Sequence, residues 1–143
     1  MKLTANFSLS EFTASDTAKA QGIDNTPSVA EVNRLHFCAV QMEVIRVLCG
    51  NRPIEITSGF RSEKLNRAVG GSNSSDHRNA YAVDFRVTGL SDLLIARIIQ
   101  ASDLRYDQII RYGNGRLHIG FGPNFRFQKL IKAKNGYTST TNF

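Results

Sequence analysis

Two histidines and one aspartate are the residues in this 143-residue chain best suited to chemistry. Ser75, His77 and Asp84 lie in SSDHRNAYAVDFRV, and His118 lies in RLHIGF. Two imidazoles and a carboxylate form the ligand set of a catalytic zinc ion, which keeps one coordination position open for water. Such a set leaves the ion with net positive charge, so its water ionises far more easily than bulk water and a carbonyl can be polarised. Each histidine also has a plainer reading as a structural or solvent-exposed side chain, and spacing alone does not choose between them. His36 sits inside a helical pattern with no carboxylate at a useful spacing, and has only the plainer reading.

These residues need a scaffold to meet. YAVDFRV, residues 81–87, reads as a strand. Alternation places Ala82 and Asp84 on one face and Val83 and Phe85 on the other. The small Ala82 then leaves room beside Asp84 for an ion, and Val83 and Phe85 face the core. YDQIIRY and RLHIGF flank Asn114-Gly115, a strong hairpin signal, so His118 falls on the far arm. A two-residue turn there sets Arg111 opposite His118. His77 ends the polar loop GGSNSSDH.

The remaining pattern supplies the frame. Ser8 with Glu11 is a capping box and predicts a helix running toward Ala20 and stopping near Gly22. Ser28 with Glu31 opens a longer helix over 28–49, with Val29, Val32, Leu35, Val40, Val44 and Val47 as its apolar positions. IEIT, 54–57, is a strand; Ser62 caps a short helix through SEKLNRAV that stops at Gly70-Gly71; SDLLIARIIQA is a second core helix. The polar tail from about residue 134 is expected to fray. Helices precede a set of strands, which predicts an α+β fold with N-terminal helices packed on an antiparallel sheet, one domain over 1–143.

Composition narrows the function classes. The chain is long enough for one real core without a disulfide or structural metal. Cys38 and Cys49 are eleven residues apart, roughly 16 Å along one helix. That is beyond disulfide reach, so both are expected as buried free thiols. Net charge is +6, but the basic residues are scattered, with the densest set at Arg126, Lys129, Lys132 and Lys134. No zinc-finger spacing or glycine-rich phosphate loop accompanies them, so specific nucleic-acid binding is not expected and the charge reads as a steering field toward an anionic polymer. No stretch approaches the roughly 20 apolar residues of a membrane span. MKLTANFSLSEF carries no apolar run long enough for a secretory signal. A monomer without a membrane partner is expected.

The assembled pattern SGFRS…LN…VGG…SDHRNAYAVD…LHIGF resembles the zinc D-alanyl-D-alanine carboxypeptidase and L-alanyl-D-glutamate endopeptidase family, the M15 peptidases. FSLSEFTASDTAKAQGIDNTP is similar to the opening of its phage-associated subgroup, and the likeness runs from about residue 7 to about residue 130. The resemblance implies a small α+β zinc-peptidase fold that hedgehog signalling domains share. It implies one Zn2+ held by His77, Asp84 and His118. Arg61 in SGFR would hold a substrate carboxylate or carbonyl, and Ser75 would assist in the same pocket. The implied activity is hydrolysis of an amide in peptidoglycan stem peptides, by a phage lysin held in the host cytoplasm before lysis or by a virion part, acting at the bacterial cell wall.

Two departures from the family pattern stand out. Ala80 occupies a position where glycine is usual; if the backbone there needs φ > 0, its Cβ costs roughly 1 kcal/mol. The residue three before the final histidine, often acidic and the base for the attacking water, is here Gly115. Asp107 in YDQII is the candidate replacement, Asp76 the alternative, and Asp107 also has a structural reading. A second function class therefore stays open: a peptidoglycan-binding or virion structural module that keeps the zinc site with little turnover.

Overall fold

The computed structural model describes residues 1–143. In chain order the elements are α1 (Leu9–Thr13), α2 (Asp16–Gln21), α3 (Val29–Leu48), β1 (Ile54–Ser58), α4 (Glu63–Ala68), β2 (Ala82–Val87), α5 (Asp92–Ala101), β3 (Gln108–Arg111), β4 (Leu117–Gly120), β5 (Gln128–Ala133) and β6 (Gly136–Thr140). The strands form one sheet in the order β1-β2-β4-β3-β5-β6. The fold is α+β as expected, but the sheet is mixed rather than antiparallel, because β3 and β5 run parallel.

Caps set the helix starts. The Ser28 hydroxyl accepts from the Glu31 N–H, and the Glu31 carboxylate accepts from the Ser28 N–H at 2.8 Å, so two otherwise orphaned donors are met. The single helix expected from Ser8 toward Ala20 is instead two. Ala14 is extended, and the Ser15 hydroxyl accepts from the Ala18 N–H to open α2 afresh.

The buried stripe of α3 also differs from expectation. It is Leu35, Cys38, Ala39, Met42 and Ile45, whereas Val29, Val40, Val44 and Val47 are exposed. The helix is apolar on more than one side, and periodicity picked the wrong stripe beyond Leu35. Both cysteines are buried and free, as expected.

Val83, Phe85, Ile109, Leu117 and Ile119 point from one sheet face into the core with Leu35, Met42, Ile95 and Ile99. Burying each such side chain contributes about 1.5–3 kcal/mol. The opposite face is left to Ala82, Asp84, His118 and Gly120. The core thus fixes which way the site residues point, since a one-residue slip would exchange the two sets.

The hairpin register also corrects the sequence expectation. Tyr112 pairs with Arg116 through its N–H, so Gly113-Asn114-Gly115 forms a three-residue connection. Both glycines lie at positive φ, +77° and +87°, a conformation open to them for want of a Cβ. The longer turn sets Ile110, not Arg111, opposite His118. Arg111 instead donates from Nε to Asp92 at 2.8 Å, and the other Asp92 oxygen accepts from the Gly115 N–H at 2.8 Å.

The C-terminal stretch expected to fray pairs with β5 through β6, turning at Lys134-Asn135. No helix is long and apolar enough to cross a membrane.

Candidate metal centre

Asp84 and His118 are direct partners on β2 and β4. Opposed side chains on an antiparallel pair start only about 4.5–5.5 Å apart at Cβ, so the register alone brings them together. Asp84 Oδ1 lies 2.8 Å from His118 Nδ1 and 3.3 Å from His77 Nε2. Ligand atoms of all three lie within 4.8 Å of one another, and all three residues are buried.

His77 arrives from a tight turn rather than a strand. Its carbonyl accepts from the N–H groups of Arg61 and Ala80, and the Asp76 carbonyl accepts from Asn79 and Tyr81. Ala80 closes the turn at φ +61° and is fully buried. Glycine suits this position, and an L-residue there costs roughly 1–2 kcal/mol. Gly59 O lies 2.7 Å from His77 Nδ1. A carbonyl can only accept, so Nδ1 carries the proton and a neutral ring turns the lone pair of Nε2 toward Asp84.

That arrangement calls for a cation. Burial first, and the neighbouring His118 and Arg61 after it, push the His77 pKa down against the pull of Asp84, which favours the neutral ring. Burial alone would raise the Asp84 carboxyl; the two imidazoles set against it more than offset that and hold it well below the usual carboxylate range. A neutral imidazole lone pair thus faces an ionised carboxylate, two acceptors with no proton to share. A zinc ion with ligands at about 2.0 Å in tetrahedral array would separate its donor atoms by about 3.3 Å. The donor set therefore fits zinc in type and spacing. His118 Nε2 is buried without a hydrogen-bond partner. The carbonyl that orients His77 is the outer support such a ligand needs.

Above the three residues opens a cavity of about 550 Å3, with Arg61, Ser75, Asp76, His77, His118 and Tyr112 among its lining. Arg61 is partly buried; its Nη2 lies 3.9 Å from Asp84 Oδ2 and its Nε 3.3 Å from the Ser58 hydroxyl. The Ser75 hydroxyl accepts from the His77 N–H at 3.3 Å. The structure thus brings Arg61, Ser75, His77 and His118 to one cavity with Asp84 beneath it.

Asp107 is differently placed. Arg126 donates to both its carboxylate oxygens, at 2.8 and 3.0 Å, and the Arg126 N–H adds a third bond. The Arg126 side-chain hydrogen bonds, against partial burial, hold its carboxyl below the ordinary value. Asp76 forms no ion pair, and its Oδ2 lies over Gly120, where a Cβ would sit only 2.9 Å away. Burial first, then the charge of Asp107, raises its carboxyl against the pull of His118, Arg126 and His77.

Several supports were not legible in the sequence. Asn66, fully buried on α4, donates to Ser72 O at 2.8 Å and faces Arg61 Nη1 at 3.4 Å. Asn25 holds the Arg61 segment from both sides, donating to Phe60 O and accepting from the Ser62 N–H. Asn66 is one polar residue among several in EKLNRA, and nothing local marks it or Asn25. Tyr112 lines the cavity because the three-residue turn sets Ile110, not Arg111, opposite His118. Burial first, then the Asp84 charge, pushes its phenol pKa up, so it stays protonated.

A family model described as Peptidase M15 matches residues 5–119, a span that holds all three candidate ligands and ends one residue past His118. No curated protein matches the chain.

Proposed function

The chain belongs to the peptidase M15 family and is a zinc metallopeptidase; on that premise we propose that it hydrolyses an amide bond in the peptide stems of bacterial peptidoglycan. The observation that carries this is the convergence of His77 Nε2 and His118 Nδ1 on one oxygen of Asp84. His77, Asp84 and His118 would hold one Zn2+. When bound, the ion supplies polarisation of the scissile carbonyl and a lowered pKa for the attacking water.

The protein's own groups do the rest. Arg61 presents a planar fork of N–H donors to a substrate carboxylate or carbonyl, a bidentate match that a lysine could not make. Ser75 offers a hydroxyl at the same rim. A carboxylate must take the proton from the attacking water and return it to the leaving amine. Of the two candidates, Asp76 is the better placed, since it lines the cavity with an unpaired carboxylate, whereas both oxygens of Asp107 are engaged by Arg126. Asp107 then acts as the anchor of Arg126 on the cavity wall.

The finer assignment follows the sequence resemblance: D-Ala–D-Ala carboxypeptidase or L-Ala–D-Glu endopeptidase, in a phage lysin or a virion-borne wall hydrolase. Mass spectrometry of purified peptidoglycan digested with and without a chelator tests it. Chelator-sensitive release of one defined stem fragment is expected, and the fragment identifies the bond.

A second reading is favoured by Gly115, whose only polar contribution is an N–H donated to Asp92. A wall-binding module with little turnover would sediment with peptidoglycan and release no amino groups.

A further inference from the structure

Arg61 is a partition between two cavities. On its far side from the metal centre lies a second one, about 320 Å3, and Arg61 and Val69 line both. Arg116 forms part of its wall. This residue stands two before His118, so strand alternation turns both toward the metal side of the sheet. Its guanidinium forms no ion pair; it stacks on the Tyr112 ring at 4.5 Å, and its Nε is buried without an acceptor.

The same wall holds a second unmet group. Thr57 Oγ1 is also buried without a partner. Thr57 is the extra residue of a bulge: Ile56 pairs with Phe85 and Ser58 with Asp84, leaving Thr57 unopposed. Bulges re-aim side chains and gather beside active sites. Buried donors left unmet, one of them on a charged group, destabilise a fold unless something supplies their acceptor. Asp16, exposed at the rim, is the one acid in the lining, against two guanidinium groups.

We propose that this cavity is a carboxylate subsite. Arg116 and Arg61 hold a free carboxylate of the substrate between them, and the Thr57 hydroxyl donates a further hydrogen bond. The identity of that carboxylate as one on a stem peptide rests on the peptidase assignment above. Anchored there, the substrate runs past Arg61 with its next amide over the metal centre. The cavity therefore selects stem peptides whose carboxylate next to the scissile amide is free over those in which it is amidated.

Two measurements test this. Stem peptides with that carboxylate free or amidated are compared by kcat/KM for the zinc-loaded protein, Arg116→Gln and Thr57→Val. The parent is expected to prefer the free acid by roughly 10- to 100-fold, with the preference carried in KM, and Arg116→Gln to collapse it. Equal rates on acid and amide by the parent overturn the proposal. Separately, N-acetyl-D-alanine is titrated into the full chain while the arginine Nε–H resonances are followed by NMR. A saturable shift of the Arg116 signal, weakened in Thr57→Val, supports the subsite; an Arg116 signal that stays still overturns it. Should no peptide be cleaved at all, the peptidase assignment fails, and the NMR titration alone decides the subsite.

Discussion

Asp84 and His118 face each other across β2 and β4, with Oδ1 2.8 Å from Nδ1. Both strands also carry core residues on their other faces, so the pair is held by the same packing that stabilises the domain. Asp84→Asn keeps the shape of the side chain and removes its charge. Losing an outer support of a metal ligand typically weakens binding 10- to 100-fold, so removing this ligand's charge is expected to weaken zinc by at least about 100-fold. Competition with a chromophoric chelator measures it. Unchanged affinity would place the metal elsewhere.

Asp76 and Asp107 make opposite predictions for the proton. If Asp76 is the base, Asp76→Asn lowers kcat by about 10²- to 10⁴-fold while zinc content stays at the parent level. Asp107→Asn loosens Arg126 and lowers kcat far less. The reverse ranking would assign the proton to Asp107.

The Asp107–Arg126 pair also carries a pH signature. The folded pKa of Asp107 lies below that of the unfolded chain, chiefly through the Arg126 hydrogen bonds. Its contribution is therefore full above the unfolded value, about pH 4, and is lost as pH falls through the folded value. Asp84 titrates in the same direction, so the comparison must be differential. Urea midpoints of the metal-free protein should fall on acidification from about pH 5 to about pH 2.5, and fall less in Arg126→Ala. Parallel curves would mean the pair contributes nothing.

Ala80 at φ +61° offers a test of the turn that delivers His77. Ala80→Gly relieves roughly 1–2 kcal/mol of left-handed strain. It also gives up about 0.8 kcal/mol of methyl burial, so the net change in unfolding free energy should lie within about 1 kcal/mol of zero. Ala80→Val adds a branched side chain in the same conformation to a fully buried site, and overpacking alone costs about 1–3 kcal/mol. Chemical denaturation separates the two. A well-tolerated valine would show that the turn relaxes freely.

The legible and illegible parts of this chain divide along physical lines. Capping pairs such as Ser28 with Glu31, and the alternation that turns Asp84 away from Val83 and Phe85, are local, and they are where the sequence pointed. The convergence of His77 with Asp84 and His118 was legible through the family resemblance and not through spacing, because it depends on the β2–β4 register, which pairs residues 34 apart in the chain. Turn length was not legible in the same way. Gly113 and Gly115 together allow a three-residue connection in place of the Asn-Gly turn, and that one extra residue moved Ile110 and Tyr112 to the metal side and Arg111 to Asp92. The α3 stripe misled because valines lie on its exposed side as well. β6 was passed over because its residues are polar, although the turn that precedes it, Lys134-Asn135, is followed directly by Gly136.

X-ray absorption at the zinc edge, on protein loaded with one equivalent of zinc, reports on the centre most directly. Two imidazoles and light-atom donors at about 2.0–2.1 Å are expected, with the imidazole signal reduced in His77→Ala and in His118→Ala. A sulfur donor at about 2.3 Å, or a spectrum that the two substitutions leave untouched, would contradict the assignment of His77, Asp84 and His118 as the metal centre.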